Sequence, residues 1–213
     1  MERLATSLCA QGLQIVVTRE PGGTEAGEKI RQLLLDTRTL GLSPIAELTL
    51  MFASRAQHIE EIINPALASG QVVLCDRFTD SSEAYQGGGR KLGSKIVIDL
   101  HRVLCSDLKP DLTILMDSDV AASVDRARRR NRARGKSETK DENRFEQENR
   151  AFFTRVRSAY LEIAKREPER VFVVDARGTP DQTHRKIVEI VSRKLNLSRP
   201  AVKVAQNVTQ KAH

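Results

Sequence analysis

Residues 71–90 read Gln-Val-Val-Leu-Cys-Asp-Arg-Phe-Thr-Asp-Ser-Ser-Glu-Ala-Tyr-Gln-Gly-Gly-Gly-Arg. The apolar run Val72–Cys75 has the length and the Val/Leu content of a strand buried on both faces. It ends in a charged pair, Asp76-Arg77, and hands on to a polar, glycine-rich stretch that reads as a loop, or, at Gly87–Gly89, equally as the end of a helix. In parallel α/β sheets, ligands bind at the carboxyl ends of strands. An arginine placed there offers a planar fork suited to phosphate. The stretch therefore points to an α/β fold and to a phosphorylated ligand.

Outward from it, short apolar runs alternate with longer amphipathic ones, the pattern of a parallel sheet covered by helices. Four strands are expected, at Leu13–Thr18, Val72–Cys75, Leu112–Asp117 and Val171–Asp175. Helices are expected over Glu2–Gln11, Glu25–Asp36, Pro44–Ala68, Lys95–Cys105, Ala121–Arg134, Gln147–Arg166 and Pro180–Leu195, with Pro65 kinking or ending the third. Asp119 and Thr179 stand where N-caps belong, and Thr179 is followed by proline at the first helical position. One α/β domain over residues 1–197 and a loose polar tail over 198–213 account for the chain, which shows no internal repeat.

The 213 residues suffice to bury a sizeable core, and with few aromatics that core must be aliphatic. The net charge is +7 and the isoelectric point is near 9.6. Much of this basicity lies in residues 126–144, where nine Lys/Arg face three acids, a local excess of +6. Such a run is ordinarily a solvated helix face. A nucleic-acid binder is disfavoured, because two tyrosines and no tryptophan offer few stacking platforms and no recognition motif is present. Cys9, Cys75 and Cys105 are odd in number and lack metal-ligand spacing, which fits reduced thiols in the cytoplasm. No segment approaches the roughly 20 apolar residues of a membrane helix.

Three segments carry the chemistry. Thr18-Arg19-Glu20-Pro21-Gly22-Gly23-Thr24 follows a strand and precedes a helix, and its two glycines permit a tight turn close to a ligand. Met51-Phe52-Ala53-Ser54-Arg55 lies in a helix, where Phe52 and Arg55, three apart, share a face able to hold a planar base. Asp76-Arg77 with Ser81, Ser82, Tyr85 and Gln86 forms the third. His58, His101, His184 and His213 have no partner at a telling spacing and read as surface or structural.

Together these segments resemble the thymidylate kinase family, over about residues 1–195. The resemblance implies a nucleoside monophosphate kinase fold, with dTMP as acceptor, ATP as donor, Mg²⁺ as the accompanying metal and a homodimer. It implies that Glu20 and Pro21 lie beside the acceptor, Glu20 near the reacting phosphates. It implies that Phe52 stacks on thymine, that Arg55 donates to a ring carbonyl, and that Arg77 binds the acceptor phosphate with Asp76 near metal or water. Ser81, Ser82, Tyr85 and Gln86 would line the sugar and base, with Tyr85 against C2′. Residues 126–146 resemble a lid, whose catalytic arginine would be found among Arg126, Arg128, Arg130 and Arg144.

The sequence holds no Gly-x-x-x-x-Gly-Lys-[Ser/Thr] phosphate loop. In the family resembled, that loop and the central strand before it precede the segment matching Met1. The expectation is therefore that Met1 is internal to a longer natural chain, that the strands at Val72–Cys75 and Leu112–Asp117 face each other unpaired, and that the chain as written is nearly inactive. The alternative is a non-catalytic remnant that binds dTMP or a partner.

Overall fold

β-Branched and aliphatic runs make the strands. These are β1 (Ile15–Arg19), β2 (Val72–Asp76), β3 (Thr113–Asp117) and β4 (Val171–Asp175), within one or two residues of the expected bounds. The computed structural model describes residues 1–36, 38, 41–119 and 144–197. The expected helix over 121–134, the cap at Asp119, Arg126, Arg128, Arg130 and the tail over 198–213 fall on or against residues outside that set.

β1 pairs with β2 in parallel, Ile15 opposite Val72 and Arg19 opposite Asp76. β3 pairs with β4, also in parallel, Thr113 opposite Val171 and Asp117 opposite Asp175. The single expected sheet is thus two two-stranded ladders, and among the described residues β2 and β3 share no ladder hydrogen bonds. This is where the family resemblance places a further strand. The ladders are also incompletely covered: Val17, Met116 and Val173 are about half exposed, whereas parallel strands are ordinarily buried on both faces.

Side chains join the two ladders. Asp80, just past β2, takes a two-pronged ion pair from Arg170, which precedes β4, and accepts from the Thr113 hydroxyl at the start of β3. Arg166 makes a similar fork onto Glu83.

The helices are α1 (Glu2–Cys9), α2 (Glu25–Leu35), α3 (Pro44–His58), α4 (Asn64–Ala68), α5 (Thr79–Ser82), α6 (Ser94–Leu104), α7 (Arg150–Arg166) and α8 (Pro180–Lys194). Among the described residues, four helices are capped at the N-terminus by a side chain. Thr24 accepts from Gly27, Ser43 from Ala46 and Asn149 from Phe152, while Thr179 forms a full capping box with Gln182. Pro65 does not end the third helix. A π-helical turn over Ile59–Ile63 intervenes, and Pro65 then sits in the first turn of α4, where its missing N–H costs nothing.

The stretch after Arg77 requires a larger correction. It is not a loop: α5 runs directly into a π-helix over Glu83–Gly89, in which Ala84, Gln86, Gly87 and Gly89 are buried. The glycines are there for packing against α7. A Cβ on Gly89 would lie 2.5 Å from the Phe152 ring, and one on Gly88 would lie 2.7 Å from Ala159. One apolar cluster joins Leu48, Phe52, Ile59, Ile63, Val97 and Cys105 beneath β2. A second, with Ala84, Phe152 and Val156, seals α7 onto the π-helix.

Candidate functional site

At the carboxyl end of β1 the backbone turns sharply. Glu20–Pro21 is a cis peptide, and Gly22 and Gly23 take φ of 129° and 81°, a region that favours glycine. The turn is fastened from several sides. The Glu20 N–H donates to the Asp76 carbonyl (2.9 Å), the Gly22 N–H to Ser54 Oγ (3.1 Å) and the Gly23 N–H to Glu28 Oε1 (3.0 Å). Burial alone would raise the Glu28 carboxyl, but the Gly23 N–H and the Arg19 guanidinium hold it below its usual range.

One face of α3 meets this turn with Ser54, Arg55 and His58, all buried. Arg55 donates through Nε to Glu20 Oε2 (2.7 Å) and through Nη2 to Ser82 Oγ (2.9 Å). Among the described residues its Nη1 has no partner. His58 Nδ1 lies 2.9 Å from Glu20 Oε1, and its Nε2 lies 2.6 Å from Thr18 Oγ1. Glu20, only 3 % exposed, is thereby held at both oxygens.

At the end of β2, Arg77 adopts φ of 71°, an uncommon conformation for a residue with a side chain and the kind of local strain that collects at functional sites. Its guanidinium sits 4.8 Å over the Tyr85 ring, and Nη2 reaches the Tyr85 hydroxyl at 3.3 Å. Tyr160 from α7 closes the far side, its hydroxyl 2.7 Å from Ser81 Oγ. Burial pushes the Tyr160 phenol up to about 12, so it remains protonated.

These groups surround a cavity of about 530 Å³, within the range of small-ligand sites. Glu20, Pro21, Arg55, Arg77, Ser81, Ser82, Tyr85 and Gln86 all line it. Eight of the residues singled out from sequence thus converge. Asp76 is exposed at the end of β2 and is tied in through its carbonyl. Phe52 is completely buried and backs the guanidinium of Arg55 at 4.7 Å instead of facing the cavity. The helical spacing that suggested a shared face produces this cation–π stack. The rings in the cavity wall are those of Phe78, Tyr85, Phe145, Phe153 and Tyr160.

Arg144 is committed elsewhere. It donates to the Leu34 carbonyl (2.7 Å) and to the buried Glu47 (2.5 Å), which also accepts from Gln86 and Arg90. Sequence reading missed Glu47, Tyr160 and His58. For His58 a signal existed, since it stands three residues after Arg55 and so on the same helical face. His58, read with the other histidines as surface or structural, is fully buried behind the cavity with Glu20 and Thr18 on its two ring nitrogens. His101 is 3 % exposed, packed edge-on against Phe78 and bonded to Thr79.

Among the described residues, one group of ligand-type side chains converges within 4.8 Å: Glu20, His58 and Cys75. Its buried mixture of O, N and S donors does not suit Mg²⁺, which demands oxygens and keeps waters. The Cys75 thiol is pushed far above its usual range by burial and by the Glu20 carboxylate, so it is a protonated, inert group.

With this geometry, the chain was compared with known proteins. The family model for thymidylate kinase matches residues 1–187. The thymidylate kinase of Pseudomonas syringae pv. tomato is 47 % identical over 196 residues, covering 92 % of this chain and 89 % of that protein. That of Pelobacter propionicus is 45 % identical, covering 91 % and 87 %. The crystal structure of thymidylate kinase from Ehrlichia chaffeensis superposes with a TM-score of 0.67 at 29 % identity, covering 90 % of this chain and 86 % of that one. The chain therefore belongs to the thymidylate kinase family.

Proposed function

We propose that the chain takes dTMP as phosphoryl acceptor, ATP being the donor, and forms dTDP. The observation that carries this reading is Nη1 of Arg55, a buried donor without a partner among the described residues, on a side chain that lines the cavity. A thymine 4-carbonyl would satisfy it. Cytosine presents an amino donor at the same place and would leave it orphaned, at a cost of about 1–3 kcal/mol. Arg77, at the mouth of β2, would take the 5′-phosphate, and Tyr85 would pack against C2′ and disfavour ribose. Ser81, Ser82 and Gln86 complete the wall. Phe52 would contribute as the support of Arg55. A kinase is favoured over a binding-only remnant because the match runs along most of each relative's length.

Phosphoryl transfer depends on positioning and on positive charge placed at the transferring oxygens. Arg126, Arg128, Arg130 and Arg144 are the proposed sources of that charge. Arg144 could serve only by leaving Glu47 and the Leu34 carbonyl. Magnesium, on this reading, arrives on the nucleotide phosphates, with Asp76 as the nearby carboxylate. dTMP binding, on this reading, uses none of a Gly-x-x-x-x-Gly-Lys-[Ser/Thr] loop, so titration with dTMP reads the acceptor side alone.

Self-association through helices and a cytoplasmic location complete the proposal. All three cysteines are free, Val103 on α6 is 79 % exposed, and no described helix is long and apolar enough to cross a membrane. Calorimetric titration tests the reading. A Kd for dTMP on the order of 10 µM and at least tenfold weaker binding of dCMP, about 1.4 kcal/mol, are expected. Equal affinities would refute it.

A further inference from the structure

The chain of buried contacts behind the cavity runs Thr18, His58, Glu20, Arg55 and Ser82, and it ends at the unpartnered Nη1. We infer that His58 is a positioning residue for base selection: it locks Glu20 so that Arg55 can present only Nη1 to the ligand. The inference rests on the reading of Arg55 given above.

The direction of each bond follows from chemistry. An ionised Glu20 carboxylate can only accept, so Nδ1 of His58 carries the proton and donates to Oε1. In the neutral ring Nε2 is then bare and accepts from the Thr18 hydroxyl. The other carboxylate oxygen takes Nε of Arg55. Remove the bond to Oε1, and the carboxylate is free to turn about its own axis and to compete for the terminal nitrogens of the guanidinium.

Packing indicates that the ring is fitted and not incidental. His58 is 0 % exposed, and a Cβ on Gly23 would come within 2.7 Å of its Cδ2. The imidazole therefore fills the space under the turn that precedes α2. With Ser54 holding the Gly22 N–H, α3 grips the turn at one end and aims Arg55 at the other.

Two near-isosteric variants separate positioning from bulk structure. In His58→Asn the amide sits where Nδ1 was and can still donate to Glu20. In His58→Gln it sits where Nε2 was, keeping Thr18 and abandoning Glu20. Titration of the full chain with dTMP, dCMP and deoxyribose 5-phosphate is the readout. The preference for dTMP over dCMP is expected to survive in His58→Asn and to fall about tenfold in His58→Gln, with deoxyribose 5-phosphate binding unchanged in both.

Retained preference in His58→Gln, equal loss in both variants, or parallel loss of deoxyribose 5-phosphate binding would overturn the inference. If the unmutated chain itself shows no preference for dTMP, the reading of Arg55 fails first and the role of His58 falls with it. Should the variants not fold, ¹⁵N NMR of the ring in the unmutated chain decides. A protonated Nδ1 with bare Nε2 supports the bond to Glu20, and the opposite tautomer excludes it.

Discussion

Arg55 concentrates the chemistry of this chain in one side chain. Buried on α3, it gives Nε to Glu20, Nη2 to Ser82 and its face to Phe52, and among the described residues its Nη1 is left buried without a partner. Lysine at this position keeps the charge but loses the fork. Arg55→Lys is therefore expected to weaken dTMP binding by at least about tenfold and to erase the preference over dCMP, as read by titration. Thiol chemistry gives a second check at this scale. Burial pushes Cys105 up to about 11 and Cys75 further, while Cys9 is exposed. Since the thiolate is the nucleophile, alkylation at pH 8 is expected to modify Cys9 quickly and the other two only on unfolding, as mass spectrometry would show. The pairing of Phe52 with Arg55 was legible as a helical spacing, but its meaning was not: three residues apart, the guanidinium covers the ring, with Phe78 as a second ring 5.2 Å away. Glu20 carries no local signal that it would serve Arg55, because that contact spans 35 positions.

Elements were legible wherever the hydrophobic period was regular and the caps were conventional. Thr179-Pro180 announced α8 correctly, and Thr179→Ala is expected to cost about 1 kcal/mol of stability without changing dTMP affinity. Measurement of both the melting curve and the titration checks this. The failure lay in 78–86, where polar residues suggested a loop; the other reading of Gly87–Gly89, the end of a helix, agrees with a π-helix that closes at Gly89. Local propensity lost there to tertiary packing, since glycine is the only residue that lets α7 approach so closely. Gly89→Ala would drive a methyl into the Phe152 ring, and overpacking of this kind destabilises by about 1–3 kcal/mol. A lowered denaturant midpoint with an unchanged slope is the expected outcome. π-Helical segments of 5 and 7 residues are too short for a period to repeat. The turn over Ile59–Ile63 before Pro65 was hidden for the same reason.

At the scale of the molecule, two ladders and their helices are held together by a few charged nodes. Asp80 with Arg170 bridges the ladders. Glu47, 1 % exposed, gathers Gln86 and Arg90 from one segment and Arg144 from another. Removing that carboxylate leaves Arg90 with Glu148 and Arg144 with the Leu34 carbonyl, and takes a buried carboxylate from both guanidinium groups. Glu47→Ala is accordingly expected to cost about 3 kcal/mol and to lower the melting temperature by about 6–12 °C for a chain of this size. Such nodes join residues distant in sequence and cannot be read from it, whereas the strand ends that carry Glu20 and Arg77 could be, because parallel sheets put their ligands there. The central claim is that these strand ends, α3 and α7 form one acceptor-nucleotide pocket. A crystal structure with dTMP tests it most directly. The account requires the thymine 4-carbonyl on Nη1 of Arg55 and the 5′-phosphate on Arg77; a nucleotide lying outside the cavity, or with its base and phosphate reversed, would contradict it.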